Sequence, residues 1–459
     1  MTTTAPHATP LPEPLGSPGS PGPHDLRRPD AAAARLAFAA AWLATRALTV
    51  LLLALDGRFP LGVGGIAREV HELYFRWYGV LSQGGLPLGD PLWQYPPAAG
   101  PVLLSPALLP WLSYFQAFVA LALLTDAVIA VALVRAGGRA GRSLRGAALW
   151  VGGLPLLLHI PLARYDLHVT ALAVLSLLAL PAPSSLPAPA RAPSPLRTAA
   201  RATSPPPAPP RATSRRTRAW RTYAAGALAA LGALVKVWPV LTLLGTPRGR
   251  TTREAWTAAL CTAAALLLAL AALFAHPFSF LRQQGGRGVQ IESLGGTLLA
   301  LAHRAGLPGE VRYQFGAMEY VGPYVGVVAR ASLLATALAF AALLVWRLRA
   351  RRWTAATPCD AALCAVLLFT VTSRVISPQY LIWLLGLAAV CLTSRATSQG
   401  PAALLIGVAA GVSTLAYPVL YADVIAGTWT GCLVLVVRNG LLIGAVALSW
   451  RGLWRDSNP

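Results

Sequence analysis

A few short polar stretches interrupt an otherwise apolar chain, and they hold the residue types able to bind or transform a substrate. In AREVHELYFRWYGVL, helical spacing sets Val70, Leu73, Tyr74, Trp77 and Leu81 on one face and Glu69, Glu72 and Arg76 on another. The pattern predicts an amphipathic helix lying on a membrane surface with two carboxylates toward water. A partly desolvated glutamate there can serve as a general base, and the plainer reading is a solvated face with a Glu72 to Arg76 pair. GGLPLGDPLWQYPP follows, dense in Gly, Pro and aromatic residues as a shaped surface loop is. His159-Ile-Pro-Leu-Ala-Arg164-Tyr-Asp166-Leu-His168 places an Arg and an Asp two apart beside a span, where they can simply neutralise each other. Lys236 is the only lysine, set in an apolar run. Its ammonium needs water, an acid or a phosphate, snorkelling to an interface being the ordinary alternative. Arg287-Gly-Val-Gln290-Ile-Glu292-Ser293 and Ser373-Arg374-Val-Ile-Ser-Pro-Gln379-Tyr380 fall between spans. Arg438, inside the last span, calls for a buried acid, Asp423 or another, and Asp126 would serve equally. A carboxylate, cations and aromatic residues converging on one face suit a reaction between a lipid phosphate and a polar acceptor.

The elements that must position these groups are membrane spans. Residues AVILMFWYC make up 56% of the 459 and DEKR only 12%, where a soluble chain has roughly 25% charged residues; mean hydropathy is +0.57. The net charge of +22, from 38 basic against 16 acidic residues, is almost all arginine clustered between apolar runs. That arrangement fits cytoplasmic loops under the positive-inside rule and excludes a nucleic-acid stripe. Residues 1–30 read as a disordered cytoplasmic tail. The first span runs from Ala31 to Leu55, and an outer loop over 56–112 would carry the catalytic helix. Further spans are expected at 113–134, 145–161, 166–181, 256–275, 324–347, 358–373, 380–396, 401–421 and 428–450. The class is all-α integral membrane, with about 10–12 transmembrane helices. The chain divides into an N-terminal membrane part (31–181), a flexible Pro/Arg-rich cytoplasmic insert (182–221) and a C-terminal membrane part (222–459). Pro97 to Pro110 is short for a crossing and predicts an interfacial or re-entrant piece. Tyr223 to Thr246, flanked by arginines, predicts a re-entrant hairpin with Lys236-Val-Trp-Pro239 at its tip, a full crossing being the other option. Both termini would be cytoplasmic in a plasma-membrane protein. The five cysteines lack metal-ligand spacing and read as core thiols.

ELYFRWYGVLSQGGLPLGDPLWQYPPAAGPVLLSPALLP, with its Tyr, Trp, Gly, Asp and Tyr-Pro-Pro positions, resembles the first outer loop of glycosyltransferase family 87. These are C-type multispanning enzymes that use polyprenyl-phosphate-mannose. LARYDLHVTALAVLSLLAL, GALVKVWPVLTLL, RGVQIESLGGT and SRVISPQYLIWLL extend the resemblance in order, from about residue 65 to 395. It implies a C-type architecture and inverting transfer of mannose from the lipid phosphate to an acceptor hydroxyl on the outer membrane face. Such enzymes carry a catalytic carboxylate early in the first outer loop, usually Asp. Here Glu69 is the nearest equivalent and Glu72 its competitor, no Asp being read at that place. For the departing phosphate the cations are Arg164, Arg374 and Lys236, arginine being the better bidentate partner. Gln290, Glu292, Gln379 and Tyr380 would hydrogen-bond sugar or phosphate. His71, Tyr74, Arg76, Asp90, Tyr95, Asp166 and Arg287 complete the expected substrate-binding set.

The implied partners are a polyprenyl-phosphate-sugar donor, a glycan or glycolipid acceptor of the cell envelope, and the bilayer. The donor is already activated, so no metal and no cofactor is expected. From a different class, a lipid-linked sugar transporter or flippase would use the intramembrane Lys and the Arg-Asp pair as a substrate pathway. Against it stand the aromatic-rich first loop and the lack of an evident internal repeat. A membrane scaffold would leave the convergent polar motifs unexplained.

Overall fold

The computed structural model describes residues 31–58, 64–181, 212–274 and 288–458. The N-terminal tail, residues 182–211 of the insert and Arg287 lie outside them. Helix α1 (Ala31–Ala54) leads into the first large loop. There a π-helical turn, Glu69–Tyr74, runs into α2 (Phe75–Ser82), followed by α3 (Ala99–Leu104). Then come α4 (Tyr114–Gly137), α5 (Arg145–Gly153), α6 (Asp166–Ala179), α7 (Ala212–Val235) and α8 (Arg250–Leu273). The second large loop holds β1 (Val289–Gln290), α9 (Leu294–Arg304), β2 (Glu310–Gln314) and β3 (Ala317–Val321), an antiparallel sheet in the order β1-β3-β2. Closing the bundle are α10 (Val325–Arg349), α11 (Thr357–Thr372), α12 (Tyr380–Leu392), α13 (Gly400–Thr414), α14 (Tyr421–Ala426) and α15 (Trp429–Ser457).

This is a helical integral membrane protein. Among the described residues six helices are long and apolar enough to cross a bilayer: α1, α4, α8, α10, α13 with its extension to Val419, and α15. The other expected spans differ for physical reasons. At 1.5 Å per residue the 14, 16 and 13 residues of α6, α11 and α12 fall short of a hydrocarbon core of about 30 Å. All three are apolar on every side and mostly buried in protein, so lipid does not set their length. The span expected at 145–161 breaks after Gly153 into two 3₁₀ turns, Leu154–Leu157 and Ile160–Ala163, where Pro155 and Pro161 lack the N–H that would continue the helix. The span expected at 401–421 is present as Gly400–Val419, its last turn, Leu415–Val419, being π-helical around Pro418.

The segment around Lys236 is a hairpin. After α7 the chain turns at Lys236 and returns as a 3₁₀ turn, Trp238–Leu243. Ser176 Oγ donates to the Ala225 carbonyl (2.8 Å) and lies 3.4 Å from Thr242 Oγ1, which sets the two limbs side by side. Both limbs end near arginines: Arg221 donates to the carbonyls of Leu178 and Ala179 at the end of α6, and Arg347 to that of Thr246. Helix α7 starts at Ala212, so the last part of the expected flexible insert is helical, the prolines stopping at Pro210. Pro97 to Pro110 forms only α3 and a 3₁₀ turn. Of the cysteines, Cys261 stands exposed on α8 rather than in the core; Cys364, Cys391 and Cys432 are buried and Cys359 partly so.

A buried ionic knot fastens the N-terminal helices. Asp126 of α4 accepts from Arg46 Nε (2.6 Å) and Nη2 (2.9 Å), from Trp42 Nε1 (2.6 Å) and from Trp150 Nε1 (2.7 Å), joining α1, α4 and α5. Asp126 is therefore not the partner of Arg438. Neither is Asp423, which accepts from Thr428. Substituting Asp126→Leu strands the Arg46 guanidinium in the interior, which costs about 3–5 kcal/mol. A clear fall in the thermal unfolding midpoint of the detergent-solubilised protein is expected, and an unchanged midpoint would contradict the assignment.

Candidate active site

The site is built around one turn. Arg164, in extended conformation, ends the second 3₁₀ turn, and Asp166 starts α6 two residues later. The two do not neutralise each other. Arg164 Nη2 meets Glu69 Oε2 at 2.8 Å, with Nη1 donating to the carbonyls of Ile66 (3.1 Å) and Ala163 (2.7 Å). Asp166 Oδ1 instead takes the Lys236 ammonium at 2.7 Å and Trp383 Nε1 at 2.6 Å. Rings surround that ammonium: Tyr165 and Trp383 at 4.8 and 5.0 Å, Tyr95 and Tyr380 both at 5.8 Å. Desolvated cations over aromatic faces gain on the order of 2 kcal/mol. Lys236 does not snorkel away; it is held by an acid under a cage.

The first loop brings Glu69 to Arg164. The expected amphipathic face is present, with Val70, Tyr74, Trp77 and Leu81 buried, Leu73 half-buried and Glu72 and Arg76 exposed. Its ion pairs differ from the simple expectation: Glu72 lies 3.5 Å from Arg68, and Arg76 binds Asp90 at 2.8 Å. Asp90 also accepts from Trp77 Nε1 and the Leu92 N–H. Burial alone would raise its carboxyl, but those hydrogen bonds and Arg76 hold it below the ordinary range. Asp90 thus shapes the loop and does not line the cavity. The start of the loop is pinned by Asp56, which accepts from the N–H groups of Gly65 (2.9 Å) and Ala67 (2.8 Å), with His159 Nε2 3.3 Å from Oδ1. Against the upward push of burial, these N–H groups and His159 keep Asp56 low.

The second loop and the 373–379 turn close the far side. The Gln290 N–H donates to the Arg374 carbonyl and its Oε1 accepts from the Ile376 N–H, both 3.0 Å, so β1 and the turn are locked together. Glu292 is buried with Arg438 Nη1 3.3 Å from Oε2, and Arg438 and Asn439 both donate to its carbonyl oxygen. Glu292 is therefore the acid that Arg438 requires.

These elements enclose a cavity of about 840 Å³. From the expected set it gathers Glu69, Glu72, Arg76, Tyr95, Arg164, Lys236, Gln290, Glu292, Arg374, Gln379 and Tyr380. It does not include Tyr74, buried beneath the loop, or His71, stacked on Phe115 at 3.8 Å. Asp166 lies under the floor as the partner of Lys236. Several lining residues escaped the sequence reading: Arg68, Gln94, Trp383, Tyr417 and Tyr421, and Tyr313 and Phe315 from the β2–β3 hairpin. Alternation in EVRYQFGAMEYV was the signal for that hairpin. Burial and the charge of Glu69 push the Tyr313 phenol up, Arg164 opposing them. The walls carry five cations (Arg68, Arg76, Arg164, Lys236, Arg374) and three carboxylates (Glu69, Glu72, Glu292), with Asp90 and Asp166 behind the wall paired to Arg76 and Lys236. Only one oxygen of Glu69 is engaged among the described residues, leaving the other able to accept a proton.

No family model matches the sequence, and no curated protein matches it. Among solved structures, the chain is similar to ArnT from Cupriavidus metallidurans bound to undecaprenyl phosphate. The TM-score is 0.43 and the identity 14%, over 91% of this chain and 77% of that one. A likeness that distant carries no argument about activity, so the chemistry rests on the residues themselves.

Burial pushes the Glu292 carboxyl up to about 7 from an ordinary 4.5, with Arg438 and Gln290 pulling the other way. With the folded value above the unfolded one, the stability Glu292 lends is whole below the unfolded value and is lost as pH rises through the folded one. The thermal midpoint should fall between about pH 4.5 and about pH 7 more steeply in the wild type than in Glu292→Gln, and the two slopes should converge above that range. Equal slopes within it would contradict this role.

Proposed function

We propose that the protein is a polyprenyl-phosphate-mannose-dependent inverting glycosyltransferase of the C type. In this reading it passes a hexose to a cell-envelope glycan or glycolipid on the extracytoplasmic face. One observation carries the proposal: a half-buried carboxylate, Glu69, is oriented by the buried Arg164 in the wall of an ionic, ring-lined cavity at one end of membrane helices. Inverting transfer needs one base. Glu69 takes the acceptor hydroxyl proton as that oxygen attacks the anomeric carbon, and the bond to the lipid phosphate breaks on the opposite face. In this reading Arg374, on the cavity wall, takes the charge gathering on the departing phosphate, guanidinium matching phosphate in a bidentate manner, and Arg164, already bonded to Glu69 and two carbonyls, adds its field. Lys236 shares its charge with Asp166 and so supports the floor more than it neutralises the leaving group.

Glu69 suits the base better than Glu72. Glu72 is mostly exposed and lies 3.5 Å from the equally exposed Arg68, whereas Glu69 is half-buried and held by the buried Arg164. A flippase would need a route onward from the cavity. The buried Asp166, Lys236 and Trp383 cluster and the wholly buried body of α12 below it favour a closed-ended reaction chamber instead.

The test is transfer of radiolabelled mannose from polyprenyl-phosphate-mannose in membranes containing the protein, at matched expression of variants. Glu69→Gln should lower turnover by about 10²–10⁴-fold, the usual worth of a general base, with Glu72→Gln little changed. Asp56→Asn should lose activity only with a lowered thermal midpoint, its oxygens being spent on the backbone. Full loss in Asp56→Asn with an intact midpoint and an active Glu69→Gln would move the base to Asp56. No transfer by the wild type to any acceptor extract would contradict the transferase.

A further inference from the structure

The β2–β3 hairpin turns through Phe315 and Gly316, both at positive φ (50° and 78°), between the paired residues Gln314 and Ala317. A two-residue loop with two positive φ values suits the strand twist, and its usual occupants are Asn, Asp and Gly. Gly316 fits that rule. Phe315 does not, because in the left-handed region its Cβ crowds the following carbonyl. Turn chemistry therefore gives no reason for a phenylalanine at this position, whereas location does: Phe315 lines the cavity. Tyr313, two residues earlier on β2, lines the same cavity. Met318 pairs across the ladder with Tyr313 and lines it too. The base of the hairpin is fixed, since β3 pairs with β1 and Glu319 Oε2 accepts from the Gly288 N–H at 2.9 Å. Its tip reaches the first loop, where a Cβ placed on Gly316 would lie 3.6 Å from Leu92 Cδ2. An aromatic wall thus shares the cavity with Glu69, Arg164 and Arg374.

We propose that Phe315, together with Tyr313, is a stacking platform for a pyranose ring of the substrate, the backbone being held in an unfavourable conformation to present that ring. The assignment rests on the glycosyltransferase reading and deepens it. A pyranose has an apolar C–H face that packs on an aromatic ring while its hydroxyls turn to the polar wall. Strained residues of this kind collect at ligand clamps.

Phe315→Gly separates recognition from folding, because glycine relieves the turn while removing the ring. The full chain, purified in detergent, would be assayed with a short-chain prenyl-phosphate-mannose and a titrated glycolipid extract, beside Phe315→Trp. Binding of the same short-chain prenyl phosphate without sugar would be measured in parallel. Phe315→Gly should raise the half-saturating concentration of the donor or of the acceptor by roughly five- to tenfold. Its thermal midpoint should be equal or higher, its binding of the sugar-free prenyl phosphate unchanged, and Phe315→Trp should restore affinity. Which substrate responds tells which sugar lies on the ring. The proposal is overturned if neither concentration moves, if the sugar-free prenyl phosphate weakens equally, or if the loss tracks a fallen midpoint. A wild type that turns over no donor would instead remove the transferase reading, and the stacking role with it.

Discussion

Everything at the site hangs on the separation of two charges that the chain places two residues apart. Arg164 and Asp166 are both buried, and a buried charge without a partner costs several kcal/mol. Because Asp166 opens a helix while Arg164 is still extended, the two side chains diverge. Arg164 draws in the first loop through Glu69, and Asp166 draws in the hairpin tip through Lys236 and α12 through Trp383. Segments far apart in sequence are thus tied to one turn, each because another ion requires it.

The same economy explains the short helices. α6 starts at Asp166 under the cavity floor, α12 starts at the lining residue Tyr380, and α11 ends at Thr372 beside the lining residue Ser373. Irregular backbone inside a helical bundle is tolerated where protein or a polar cavity satisfies it. The Gln290 contacts to Arg374 and Ile376 do this on one side, and the Arg164 contacts to Ile66 and Ala163 on the other.

Much of this was legible in the sequence because period and hydropathy are local. The 3.6 spacing of Val70, Tyr74, Trp77 and Leu81 located the loop helix, and a lone lysine between arginine-flanked apolar runs located the hairpin tip. Pairing was not legible, since it is decided across the fold. Glu292 and Arg438 lie 146 residues apart, and Arg46 and Asp126 lie 80 apart. Nearness in sequence misled at Arg164 and Asp166, and at Glu72 and Arg76. Span counting assumed that apolar helices meet lipid, which α12 does not. The hairpin was missed because Phe-Gly is a poor turn signal, and Asp56 because at the end of a span it read as a boundary.

The Asp166 carboxylate and the Lys236 ammonium form one ion pair, with Trp383 and the surrounding rings beside it, and a double-mutant cycle tests their coupling most directly. Asp166→Leu and Lys236→Met each strand one buried charge, so each should lower stability by about 3–5 kcal/mol. The double variant has no charge to strand, and the account predicts that it regains most of one single loss, a coupling of at least about 1 kcal/mol. Additive losses in the thermal midpoint would show that the pair is not coupled, and would contradict the account.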